Sequence, residues 1–178
     1  YTLMALIIVI LILVFSAILH EYMHGWVANK LGDPTARLAG RLTLNPIPHL
    51  DPFMSVLLPA ILILGGSPIV FAAAKPVPVN PLNLRDGRKD LALVALAGPL
   101  TNLCIASIAA LLYRLVGNSQ LSEFLLLVAL YNILLTIFNL IPIPPLDGSK
   151  IFSIILPERI AYQYLSISSY GIFIVLFL

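Results

Sequence analysis

Charge is scarce in this chain: 10 Lys and Arg and 8 Asp and Glu stand among 178 residues, 10% charged in all. A soluble domain carries about 25%. With 60% hydrophobic residues and a mean hydropathy of +1.03, there is too little polar side chain to coat a water-facing surface. That excludes a soluble globule, a disordered tail and a fibrous repeat. Cysteine is nearly absent; Cys104 alone, inside an apolar run, allows neither an intrachain disulfide nor a Cys-based metal site. A net charge of +2, with no Lys/Arg run interleaved with aromatics, argues against a nucleic-acid partner. No nucleotide-binding segment, PDZ-like insertion or internal repeat is evident. The first apolar stretch lacks the basic start and small-residue cleavage site of a signal peptide.

Long apolar runs are what the chain has in quantity, and its length suits one domain, residues 1–178. A spanning helix needs about 20 mostly apolar residues. Tyr1–Leu19 qualifies, with its helix predicted to continue through His20–His24 to Asn29. Leu91–Val116 and Leu121–Ile141 also qualify, and a last helix begins near Ile160. The expected fold is therefore an all-α polytopic membrane protein with about four transmembrane helices. Residues 53–74 are long enough to span, but Gly65-Gly66-Ser67-Pro68 has the composition of a turn. A re-entrant hairpin and a Pro-kinked span are the two alternatives. Charge favours the hairpin. It puts Lys30, Arg37, Arg41, Lys75, Arg85, Arg88, Lys89, Lys150 and Arg159 on one side against Arg114, and basic residues prefer the cytoplasmic face. Leu38, Leu42 and Leu44 alternate with Arg37, Arg41 and Thr43, predicting an edge strand over 37–44. Prolines predict an extended stretch over 75–81.

The strongest chemical signal is His20-Glu21-Tyr22-Met23-His24. On a helix, His20 and His24 lie one turn apart on one face, so both imidazoles can reach one zinc ion. Glu21 lies about 100° round the helix and can approach water beside the ion, as a general acid and base. The bland alternative is a pair of satisfied core histidines. Ionisable groups at the end of an apolar helix are costly and usually functional, which favours the zinc reading. A catalytic zinc site normally has three protein ligands. His49 and the acidic residues are the candidates for the third, and Asp147 in Asn139-Leu-Ile-Pro-Ile-Pro-Pro-Leu-Asp147-Gly148 is the best. Pro142, Pro144 and Pro145 must end the preceding helix and are expected to hold the backbone extended. Gly148 is expected to permit a sharp turn. Asp147 returns to the side of His20 and His24 only if 53–74 does not make a net crossing.

These motifs, together with Ala97-Gly98-Pro99 and Asn102, resemble the site-2 proteases, zinc metalloproteases that cleave transmembrane segments. Motif order matches from the first helix to Gly148, and the short loops resemble a compact prokaryotic branch. The resemblance implies Zn2+ held by His20, His24 and Asp147, with Glu21 as general acid/base. It also implies that Asn139 binds substrate backbone or polarises the scissile carbonyl. The implied setting is the prokaryotic plasma membrane, with the active site towards the cytoplasm and a transmembrane protein as substrate.

The remaining readings stay open. Asn102 donates to the substrate carbonyl or makes an interhelical hydrogen bond. Gly98 and Pro99 suit the first turn of a helix. His49 serves a second metal site, a gate titrating near neutral pH, or simple loop hydrogen bonding. Residues 85–90 read as a solvated loop meeting lipid headgroups. An unwound substrate is expected to add as a strand at Leu38, Leu42 and Leu44, or along 75–81. The competing class is a non-catalytic zinc-binding membrane protein, a transporter or scaffold. Transporters usually carry internal repeats, absent here, and Glu21 is intact.

Overall fold

The computed structural model describes residues 3–51, 74–117 and 119–167, together with Leu57, Ile61, Leu64 and Gly65. Most of the expected re-entrant segment 53–74, and the last helix beyond residue 167, lie outside the described residues. Six helices are described: α1 (Leu3–Lys30), α2 (Thr35–Leu38), α3 (Gly87–Val116), α4 (Gln120–Leu140), α5 (Asp147–Phe152) and α6 (Glu158–Ser166). Three of them, α1 from Ile7, α3 and α4, are long and apolar enough to cross a membrane. The shortest, α4 with 21 residues, spans roughly 30 Å. The protein is an all-helical integral membrane protein.

Side-chain size sorts the helix faces. In α3, Ala92, Ala95, Ala97, Gly98, Ala106 and Ala109 are buried, while Leu93, Leu103, Ile108, Leu111 and Leu115 face outward. Lipid is as apolar as leucine, so helices associate in it through small residues that allow close approach. This makes α3 the central helix, packed on both α1 and α4.

α1 and α3 run antiparallel. Arg85 N–H, just before α3, donates to the carbonyl of Leu31, just after α1. Ala28, Leu84 and Val94 form a small core there, with Val27, Leu31, Val79 and Leu91 around it. Asp33 clamps the same corner. Its Oδ1 accepts from Thr35 N (3.1 Å), the Thr35 hydroxyl and Asn83 Nδ2 (2.9 Å), and its Oδ2 accepts from Asn80 N (2.7 Å). Nothing in the sequence pattern marked Asp33.

The strand expected over 37–44, with Leu38, Leu42 and Leu44 as a substrate edge, is replaced by a helix end and a turn. Gly40 adopts φ +66°, Gly40 N–H donates to Arg37 O and Arg41 N–H to Ala36 O. These are the two bonds of a glycine-terminated helix cap. Leu38 is 77% exposed on α2, and Leu42 packs instead on the bare backbone of Gly25. The alternation thus came from a capped turn, and no strand occurs among the described residues. The stretch 74–80 is irregular, with the extended backbone expected at Asn80. Residues 87–90 begin α3, where a loop was expected; Arg88 Nη1 donates to the carbonyls of Ser153 and Leu156.

Burial pushes the Asp33 carboxyl up, but its hydrogen bonds from Thr35, Asn83 and Asn80 win and hold it below the ordinary carboxylate value. A depressed carboxyl stabilises the fold above its unfolded pKa, about 3.9, and that stability is lost as pH falls through the lower folded value. Asp33→Asn should therefore cost about 2 kcal/mol at pH 7, the scale of charged hydrogen bonds. In detergent thermal melts, the gap to wild type should narrow below pH 4; a gap independent of pH would refute this role.

Candidate metal centre

His20 and His24 lie on the buried side of α1, with ring centroids 4.5 Å apart. α5 starts at Asp147, and its Oδ2 lies 3.1 Å from His20 Nε2 and 3.0 Å from His24 Nε2. All three residues are buried, and one donor atom from each falls within 4.8 Å of the others. The two outer ring nitrogens are also engaged. His24 Nδ1 donates to the Val94 carbonyl at 2.7 Å, and His20 Nδ1 lies 2.5 Å from Asn102 Oδ1. Lys150, one turn further along α5, places Nζ 3.0 Å from Asp147 Oδ1. Burial raises the Asp147 carboxyl, but the His20 and His24 rings beside it, with the ammonium of Lys150, hold it well below the usual range. Asp147 is an ionised carboxylate presented to two imidazoles.

The approach to Asp147 differs from the extended arm expected. α4 does end before the prolines, at Leu140. The chain then turns twice, with Ile143 N–H donating to Ile141 O and Leu146 N–H to Ile143 O. The Tyr164 hydroxyl on α6 holds the Pro142 carbonyl at 2.6 Å. Gly148 lies inside α5 and is not a turn; a Cβ there would overlap the carbonyls of Leu140 and Ile141. Its role is close approach.

A cavity of about 360 Å³ opens beside the three donors, and Glu21, Asn139 and Lys150 line it with Pro76, Val77 and Val79. Glu21 Oε2 accepts from Val77 N–H at 2.7 Å. Arg41 in turn holds that segment, its Nη2 donating to Lys75 O at 2.6 Å. Asn139 Nδ2 donates to Leu135 O. Asn102 is wholly buried and its amide is engaged by His20 and Asn132, so of its two readings the interhelical bond is the one with a contact. His49 is buried away from the cluster, donating through Nε2 to Thr43 O at 2.9 Å. Loop hydrogen bonding is the role with a contact; among the described residues, no second metal-ligating group of three includes it.

Gly98 and Pro99 stand in the middle of α3, where a helix start had been expected. A Cβ at Gly98 would lie 2.5 Å from the Nε2 atoms of both His20 and His24. The glycine keeps open the space onto which the donors converge. A glycine within a long apolar helix was the available sign of such an approach.

A model described as peptidase family M50 matches residues 113–178. YwhC of Bacillus subtilis, named as a zinc metalloprotease, is 38% identical over 180 residues, covering 94% of this chain and 78% of its own length. The chain belongs to peptidase family M50, the site-2 proteases. Rip2 of Mycobacterium tuberculosis, also named as a zinc metalloprotease, is 34% identical over 137 residues, covering 75% of this chain. Rip2 of Mycolicibacterium smegmatis is 30% identical over 136 residues. The chain spans about half the length of these Rip2 proteins, 51% in each case. No solved structure matches it.

As an M50 member, the protein is a zinc-dependent intramembrane protease acting on protein substrate. The donor chemistry fits the metal: two imidazoles and one carboxylate are a usual catalytic zinc set, leaving a fourth position for water. The bare backbone of Gly98 supplies the room. Alanine is the better helix former, so Gly98→Ala should not weaken α3 itself. It should nevertheless lower zinc affinity at least about tenfold by displacing both imidazoles. Competition with a chromophoric chelator measures this; unchanged affinity would exclude the close-approach role.

Proposed function

We propose that His20, His24 and Asp147 hold the zinc ion of this M50 protease and that Glu21 is its general acid and base, cutting transmembrane substrates. The observation that carries the reading is the meeting of Asp147 Oδ2 with both Nε2 atoms at 3.0–3.1 Å beside the cavity that Glu21 lines. Zinc, when bound, supplies a Lewis acid and brings water within reach of deprotonation near neutral pH. Glu21 takes that proton on its carboxylate and later gives it to the departing amide nitrogen. The Val77 N–H grips one carboxylate oxygen and keeps the group at the cavity wall. Asn139 has a second amide proton beyond the one given to Leu135, and donates it to the scissile carbonyl. A substrate unwound at the cavity lies along 76–79, so that its freed backbone groups find partners.

The site faces the cytoplasm of a prokaryotic plasma membrane, with lipid around the helices. The basic residues near the ends of α1 and the start of α3 support that orientation, because cationic loops stay inside. The 31–86 connection makes no net crossing, which the bond between Arg85 and Leu31 supports because it joins its two ends on one face.

Glu21→Gln should lower cleavage of a transmembrane peptide in detergent by at least about 10²-fold while zinc content stays at wild-type level. Asp147→Asn should lose both zinc and cleavage, and a hydroxamate or zinc chelator should block the wild type. Cleavage that survives zinc removal would reject the assignment.

A further inference from the structure

A connected line of buried polar side chains leads away from His20 through three helices. His20 Nδ1 lies 2.5 Å from Asn102 Oδ1 on α3. Asn102 Nδ2 donates to Asn132 Oδ1 on α4 at 2.8 Å. Asn132 Nδ2 donates at 2.9 Å both to Ser16 Oγ on α1 and to the Val128 carbonyl of its own helix. Asn102 and Asn132 are wholly buried and Ser16 is 4% exposed. None of the three lines the cavity.

The direction of this line is decided at its far end. A carboxamide is nearly symmetric in shape, but its oxygen only accepts and its nitrogen only donates. The Val128 carbonyl accepts only, so Asn132 must turn its nitrogen towards it. The oxygen of Asn132 then faces Asn102, which must answer with its own nitrogen. Asn102 is left presenting oxygen to His20, and an acceptor there requires the proton on Nδ1. That leaves Nε2, 3.1 Å from Asp147 Oδ2, as the nitrogen whose lone pair a metal takes on the side where His24 and Asp147 converge. For His24 the same result comes directly, from the backbone carbonyl of Val94.

We propose that Asn132, two hydrogen bonds removed from His20, is a positioning residue that holds His20 in the tautomer able to bind zinc through Nε2. The proposal rests on the zinc-site reading given above. Without Asn132, Asn102 is free to reverse and offer N–H to Nδ1, which moves the ring proton to Nε2 and blocks the ligand atom. Groups that orient metal-binding histidines typically change metal affinity 10–100-fold when removed.

The test titrates zinc into the metal-stripped full chain in detergent, against a chromophoric chelator, with the visible band of the Co(II)-loaded protein as a second readout. Asn132→Leu and Asn102→Leu should each weaken zinc by about 10–100-fold and alter the Co(II) band, while circular dichroism shows a folded protein. Asn132→Asp keeps an oxygen towards Asn102. Burial raises a carboxyl, so its protonated form can donate to Val128. It should bind zinc within about threefold of wild type, well inside the loss expected on removal. Ser16→Ala leaves the Val128 bond, and with it the direction of the line, so it should also bind like wild type. Folded leucine variants with unchanged affinity would overturn the proposal. So would an Asn132→Asp variant as weak as Asn132→Leu, because packing volume would not then be separable from a need for the amide itself, and the carboxyl's acceptor oxygen would have failed to direct the line. Should neither leucine variant fold, Asn132→Asp decides alone, a tenfold loss overturning the proposal and retention with an unchanged Co(II) band supporting it. Wild-type protein that fails to bind zinc would instead sink the metal-site reading itself.

Discussion

Asp147 brings a carboxylate to a buried position between helices that face lipid, and the cost of that charge organises everything near it. Its Oδ2 meets the Nε2 atoms of His20 and His24, and its Oδ1 meets the ammonium of Lys150. An ionised group at this depth persists only where partners share its charge. The rest of the site follows from delivering those partners. α1 must carry both histidines on one face, α4 must stop so that the chain can turn back, and α3 must pass between them without a side chain at Gly98.

Close backbone approach is the device by which the fold achieves this. Gly25 admits Leu42, Ala36 and Val77 to the side of α1, and Val77 then holds Glu21. Gly148 lets α5 sit against the carbonyls at the end of α4, which fixes where Asp147 begins. Large apolar residues gain little from facing one another in lipid, so they turn outward and leave the interior to small and polar side chains. The polar ones are tied together through Asn102, Asn132 and Ser16, joining α1, α3 and α4 inside the bilayer.

Much of the helical framework could be read in advance because lipid enforces a simple rule of length and apolarity. The three long helices begin and end close to where their runs of apolar residues predicted. The pairing of His20 with His24 was also legible, since spacing of four residues on a helix is local geometry. The alternating leucines at 38, 42 and 44 misled because Gly40 caps a helix there, and period-two alternation over so few residues is weak against a cap. Gly98-Pro99 resembles a helix start because proline usually stands there, whereas the interior position reflects contact with residues some 75 positions earlier.

By itself, then, the sequence determined the helical membrane class, the histidine pair with its neighbouring glutamate, and the break after Leu140, all properties of short stretches of chain. Tertiary structure decided that Asp147 meets that pair, that Val77 holds Glu21, and that Asn102 serves His20 from within the bundle. Each of these joins residues between 56 and 127 positions apart. Such contacts depend on how three helices pack, and packing in lipid is set by small residues whose neighbours no local pattern names.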